Sequence, residues 1–225
     1  TIRRFVNILV WFLNWATEKG YNLYQEYKLF YNLLEKQKKT DNKNIIFLTS
    51  NELELLWSLQ VSSRKEQQVR DLFCLSAFTG IRFSEINRLK KNDIGADSLT
   101  VTGPRGRVRH ITLNEYAGEI VQKYSNKYYP GDKAFPAVSP VSYIKWIRIA
   151  GEECGLDRKI LLNYKSHERK LFRISSVLSP VIAVNTFIAI SLENGMSEVA
   201  LAGFSGIVRD NRIYAIRENL MLKEL

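Results

Sequence analysis

Apolar residues return at helical spacing from the first turn of the chain. Phe5, Ile8, Leu9, Phe12 and Trp15 predict one helix over 2–17, with Gly20 standing where a C-terminal cap belongs. A tyrosine-rich stretch follows, and then EKQKKTDNKN over 35–44, which holds no apolar residue and reads as a linker. Thr49 and Glu52 form a Thr-x-x-Glu capping box ahead of Leu53, Leu55 and Leu56. A longer helix carries Val69, Leu72, Phe73 and Ala77 on one face and stops at Gly80, and a short one is expected over FSEINRLKKNDI. Ser98 to Leu113 reads as two strands turned by Gly103-Pro104-Arg105-Gly106, and Lys159 to Ser175 as a second hairpin tipped by Lys165-Ser166-His167-Glu168. Asn114, Ser139-Pro140 and Ser179-Pro180 are N-cap signals, Gly195 ends the helix begun at Pro180, and Ser197 starts another. A last helix carries Ile207, Ile213, Ile216 and Leu220. The fold class is therefore α+β and mainly helical, with small antiparallel sheets and no internal repeat.

Charge sharpens the picture. Among 225 residues, 33 Lys+Arg against 23 Asp+Glu give a net +10, which favours a polyanionic partner. The basicity is spread: residues 1–44 carry eight Lys+Arg against four Asp+Glu, a net of +4, leaving +6 for the remainder. The run Lys36, Lys38, Lys39 and Lys43 reads as a solvated linker that would touch phosphates if it crossed a duplex. Cys74 and Cys154 stand far apart and are expected as reduced thiols. Two histidines, His110 and His167, with no Cys-x-x-Cys, argue against a metal cluster, so no metal or cofactor is expected. No apolar run reaches the ~18–20 residues of a membrane helix. The opening TIRRFVNILVWFL is interrupted by Asn7 and Asn14 and lacks a small-residue cleavage site, which argues against a targeting peptide. The start at Thr1 rather than Met suggests a fragment, and a cytoplasmic place, nucleoid-associated when bound to DNA, is the expectation.

The stretch LFCLSAFTGIRFSEINRLKKNDI, Leu72 to Ile94, runs long helix, Thr-Gly-x-Arg turn, Ser-Glu and basic short helix. It resembles the first catalytic box of the tyrosine recombinases (phage integrases), especially those of Bacteroides-group transposons. SLTVTGPRGRVRHITL resembles the hairpin of that family, and KAFPAVSPVSYIKWIRIAGEECG its middle helices. SPVIAVNTFIAISLENGMSEVALAGFSG resembles its second and third boxes, and RDNRIYAI the segment that holds its nucleophile. The resemblance implies a catalytic-type domain over 45–225, preceded in 1–44 by the end of a helical core-binding domain and its linker. It also implies metal-free chemistry, in which a tyrosine attacks a phosphodiester to give a 3′-phosphotyrosine and a free 5′-hydroxyl. Arginines, a lysine and His-like residues neutralise the charge that gathers on the phosphorus oxygens. Arginine suits that task because its planar fork donates two hydrogen bonds and stays charged.

Carried over residue by residue, Arg82 matches the first arginine, Glu85 the acidic residue one turn on, and Tyr214 the nucleophile. Alone, Arg82 would read as a solvated helix-start arginine, and Tyr214 as one packing tyrosine among 11. The His-x-x-Arg of the second box falls on Val181 and Val184, the Gly-His of the third on Gly203-Phe204, and the hairpin lysine on Val101. Arg105, Arg107 and Arg109 are cations near the lysine's place but not at it; Arg169, Lys170 and Arg173 lie just upstream of the second box. The helix from Pro180 is apolar almost all round, which predicts burial. By analogy with arginine fingers, one lost transition-state arginine costs about 10³–10⁵ in rate, so cleavage is expected at or near background. The expected partner is double-stranded DNA, contacted by Arg82, Arg105, Arg107, Arg169 and Lys170. Leu220 to Leu225 is a candidate segment for exchange with a second copy or an active paralogue. Beside an impaired recombinase stand two other readings: an architectural or regulatory DNA-binding protein at recombination sites, and a decayed relative that binds nucleic acid loosely.

Overall fold

The computed structural model of the chain describes residues 2–22, 27, 45–103, 106–164, 168–205 and 212–221. The chain divides into two compact units, Thr1–Lys43 and Asn44–Leu225. In the first, α1 (Ile2–Glu18) ends on Gly20, whose φ of +76° is the left-handed cap geometry open to glycine. Trp15 packs its ring against Phe12 and Tyr21, while Trp11 and Phe12 remain exposed. The Tyr27 hydroxyl donates to Asn14 Oδ1 at 2.8 Å.

The second unit is built around α3 (Arg64–Thr79). Eleven of its residues are buried, Val69, Leu72, Phe73 and Leu75 among them, because neighbours cover it on several sides. Those neighbours are α2 (Ser50–Ser58), α5 (Glu115–Ser125), α6 (Pro140–Glu153) and α8 (Pro180–Glu193). Tyr143, Ile147 and Ala150 of α6, Ala117 and Ile120 of α5, and Ile182 and Ala183 of α8 join α3 in one core. The capping box stands as read: Thr49 N–H donates to Glu52 Oε2 at 2.8 Å and Glu52 N–H to Thr49 Oγ1 at 3.3 Å. Asn114 and Ser139 cap their helices through side-chain oxygens, whereas Ser179 sits at the N-cap of α8 without a side-chain bond.

The two sheets are separate antiparallel pairs. β1 (Ser98–Thr102) runs against β2 (Val108–Thr112) with Val101 opposite Arg109, and β3 (Lys159–Tyr164) against β4 (Glu168–Arg173) with Leu161 opposite Leu171. The single helix expected over FSEINRLKKNDI breaks into α4 (Phe83–Ile86) and a 3₁₀ turn at Lys91–Asp93. The cause is tertiary. Ala134 N–H takes the Leu89 carbonyl at 2.9 Å, and Lys91 N–H reaches Asp132 O at 2.9 Å, which draws the backbone out of its own helix. The short α7 (Ile174–Val177) then leads into α8.

A second apolar cluster lies on the other side of α8. Val184, Phe187, Ile188 and Ala189 pack with Phe47, with Leu201 of α9 (Glu198–Ser205), and with Ile213 and Ile216 of α10 (Arg212–Met221). Helix α8 is thus the shared wall of two cores. The extended lead-in segment is pinned to it by hydrogen bonds: Leu48 N–H donates to Thr186 Oγ1 and Asn185 Nδ2 to the Ile46 carbonyl, both at 2.9 Å. Arg158 ties the same segment to α2, donating to the Phe47 carbonyl at 2.8 Å and to Glu52 at 2.6 and 2.9 Å. Burial alone would raise the Glu52 carboxyl, but these bonds and the Thr49 N–H hold it below its ordinary value.

Candidate functional site

Helix α3 ends where the Thr-Gly-x-Arg motif begins. Gly80 has a φ of +70° and returns its N–H to the Ser76 carbonyl at 2.9 Å. A Cβ at Gly80 would stand 2.7 Å from the Phe187 ring, so the motif needs glycine for two independent reasons. The same contact sets α8 directly against the turn. Ile81 is fully buried and its carbonyl accepts the Ser76 hydroxyl at 2.5 Å, which fixes the backbone just before Arg82 emerges.

Arg82 and Glu85 open α4. Glu85 is buried, and its Oε2 accepts the backbone N–H of Arg82 at 2.9 Å. Its Oε1 accepts Nη2 of Arg109 at 2.8 Å, a charge-assisted bond inside the protein. The Arg82 guanidinium stands farther off, Nη1 at 3.6 Å from that same Oε1, with 31% of its side chain exposed. That distance is beyond a hydrogen bond, so among the described residues the Arg82 fork donates none. A Cβ at Gly103 would come 3.6 Å from Glu85 Oε1, so the turn end of the first hairpin closes over the carboxylate.

Arg109 joins the site from β2. The signal was in the strand period: β2 alternates exposed and buried from Val108 to Thr112, which gives Arg109 the same inward parity as Ile111. Cross-strand pairing then sets it opposite Val101 on the buried face.

On the far side of α8 the character changes. Val184 is buried in the cluster with Ile213 and Ile216, but Val181 is 54% exposed, which corrects the expectation of burial all round. The reason is the side of the helix: Ile182 and Ala183, also in the first turn of α8, are buried in the α3 core, whereas Val181 faces away from both cores. Tyr214, on α10 between buried Ile213 and a half-buried neighbour, is 65% exposed, and its hydroxyl makes no hydrogen bond with any described residue. Arg217 of α10 pairs with Glu198 of α9 at 2.5 Å, and Leu220 packs on the α8 cluster of its own chain. Gly203 and Phe204 belong to α9, with their side-chain environment outside the described residues, as are residues 222–225 and Ile207.

The remaining cations are dispersed. Arg107 is exposed beside the hairpin turn, and Arg105 lies outside the described residues, as do 165–167 with His167. Arg169 and Lys170 are exposed on β4, where the Lys170 ammonium lies 5.9 Å from the Phe172 ring centroid. Arg82, Glu85 and Arg109 are thus the expected and unexpected residues that contacts join. Cys74 and Cys154 are free thiols; burial raises both, Cys154 to about 11, so neither is a nucleophile at neutral pH. Among the described residues no group of three or more His, Cys, Asp or Glu side chains is placed to hold a metal ion, and no helix is long and apolar enough to cross a membrane.

No protein-family model matches the chain, and no curated protein does. Solved structures do. XerH site-specific recombinase bound to palindromic difH substrate, a post-cleavage complex, superposes with a TM-score of 0.59 at 18% identity over 81% of this chain and 53% of that one. XerA recombinase gives 0.57 at 17% identity over 80% and 65%. The Tn1549 transposon integrase in complex with circular intermediate DNA gives 0.56 at 17% identity over 78% and 62%. The chain spans between about half and two thirds of the length of these three structures. With a central α3, a turn locked against α8, and a hairpin folded over Glu85, the chain has the tyrosine-recombinase catalytic-domain fold.

Proposed function

We propose that this protein binds double-stranded DNA in the recombination and integration class, with strand cleavage at or near background. The observation that carries the reading is the Arg82 guanidinium: solvent-facing, free of hydrogen bonds to described residues, and held at the end of a rigid turn. A fork in that state matches a phosphate, because its donors need not leave another acceptor first. Arg82 would hold one backbone phosphate, with Glu85 supporting it, and Arg105, Arg107, Arg169 and Lys170 would add contacts along the duplex. Tyr214 would occupy the nucleophile's place without the donors that activate it, since hydrocarbon stands at Val101, Val181 and Val184, and Phe204 at the third box. The segment 1–44 would contribute the end of a core-binding domain, and the protein would belong to a mobile element. No metal or cofactor enters the scheme.

A mobility-shift titration at several salt concentrations tests the binding. Each phosphate contact contributes about 0.9 to the slope of log K against log salt. Arg82→Met is expected to lower the slope by about that much while the fold is kept; an unchanged slope contradicts the reading. Exposed Val181 supports a second reading, because solvent reaches a position with nothing to donate there. In it the protein is architectural or regulatory, alone or with a second copy or an active paralogue. A footprint at one sequence over excess competitor DNA supports that reading, and uniform salt-sensitive binding counts against it.

A further inference from the structure

Glu85 poses an electrostatic problem for any phosphate that approaches Arg82. A buried carboxylate one turn from the guanidinium would repel the anion and, left to itself, would draw the fork inward. Both of its oxygens are nevertheless satisfied without that fork: Oε2 by the Arg82 backbone N–H at 2.9 Å, Oε1 by Arg109 at 2.8 Å. Arg109 itself is fixed by the hairpin register, with only 8% of its side chain exposed, so it is poorly placed to meet DNA directly. Among the described residues, two guanidinium groups stand around one carboxylate, a formal +1, and the more exposed of the two is Arg82.

We propose that Arg109 is a positioning residue, which by satisfying Glu85 keeps the Arg82 guanidinium open for a DNA phosphate. The inference rests on the DNA-binding reading above. Without Arg109, Oε1 becomes a buried carboxylate oxygen with no donor, a state the protein relieves at the first opportunity. Among the described residues Arg82 Nη1 stands 3.6 Å away, and a shift of under ~1 Å closes the gap to an ordinary hydrogen bond. The fork would then be paired inward and the corner neutral.

The test compares salt slopes for DNA binding by the full chain and its variants, each checked for folding by far-UV circular dichroism. Arg82→Met, Arg109→Met and the double variant are all expected to lie about 0.9 below wild type, because the three remove one and the same contact. Adding Glu85→Gln to Arg109→Met removes the charge that traps Arg82 and is expected to restore the wild-type slope, a rescue that a merely structural role does not give. Arg109→Lys, which keeps a cation on Glu85, is expected to hold the full slope and serves where Arg109→Met does not fold. A double variant that loses about 1.8 overturns the proposal, because Arg109 then meets a phosphate itself. So does a folded Arg109→Met with the wild-type slope, a failed rescue by Glu85→Gln, or a folded Arg109→Lys that drops to the Arg82→Met value. If Arg82→Met itself leaves the slope unchanged, the DNA-binding reading fails first, whatever Arg109 does.

Discussion

Around Asp71, Arg70 donates from Nε and Nη2 to Oδ1 at 3.1 and 2.7 Å, while Lys123 and Tyr124 meet Oδ2 at 2.5 and 2.8 Å. Around Glu85, Arg109 donates to Oε1 at 2.8 Å, the Arg82 backbone satisfies Oε2 at 2.9 Å, and the Arg82 fork stays at 3.6 Å. Each corner sets two cations about one buried carboxylate, so their formal charges are alike. They differ in commitment. Arg70 is engaged again by the Leu59 carbonyl, and burial, with the Asp71 carboxylate, pushes the Tyr124 phenol upward, so the Asp71 network is closed on itself. The Glu85 corner leaves one guanidinium over. A buried ion cluster is thus closed when every donor is used, and leaves a guanidinium over when the backbone has taken the place of one of them.

The largest effect is expected where the network is closed. Asp71→Asn leaves two cations facing a neutral amide in the interior, and urea denaturation should show a loss of about 3–5 kcal/mol. An effect below ~1 kcal/mol would mean that the Asp71 corner is no more committed than the other. Gly80→Ala, which supports the Glu85 corner from behind, combines left-handed strain with a 2.7 Å approach to Phe187. About 2–5 kcal/mol of destabilisation is expected in the same measurement, from about 1–2 for the backbone and about 1–3 for overpacking.

A third carboxylate marks the opposite limit. Glu66 is buried one turn before Arg70, its Oε1 has no hydrogen-bond partner, and burial and then Glu153 raise its carboxyl above the ordinary 4.5. The folded state therefore holds that proton more tightly than the unfolded chain does. Its contribution to stability is complete below pH 4.5 and is lost as the pH rises through the elevated value. Glu66→Gln should stabilise the protein by on the order of 1 kcal/mol at pH 7, and the gain should vanish in acid. A gain that persists below pH 4 would assign it to packing instead. Smallest of all, Arg82→Met should change stability by no more than about 0.5 kcal/mol, because the half-buried fork makes no hydrogen bond with a described residue and stands 3.6 Å from Glu85. A loss above ~1.5 kcal/mol would put Arg82 in the same class as Arg70.

Local signals were sufficient for much of this fold. The Thr49–Glu52 box, the Gly80 stop and the Asn114 and Ser139-Pro140 caps are decided within a few residues, and each stands in the structure. The helix expected over FSEINRLKKNDI was not, because its ending is set by hydrogen bonds to residues 132 and 134, some forty positions on. The site divides in the same way. Arg82 and Glu85 share one turn and were legible as a motif. Arg109 reaches Glu85 only through strand pairing, and a basic residue in a hairpin looks solvated until its parity with Ile111 is followed. Val181 misled in the other direction: an apolar run suggests burial, but Val181 sits on a side of α8 that neither core covers, next to buried Ile182.

On the proposed reading, an open guanidinium has outlived the donors with which a recombinase cuts. Incubating the protein with a nicked duplex that traps any tyrosyl–DNA linkage, and then resolving products under denaturing conditions, tests it most directly. The prediction is a salt-sensitive complex in solution and no covalent band after denaturation, for wild type and Tyr214→Phe alike. A covalent band that wild type forms and Tyr214→Phe does not would contradict it.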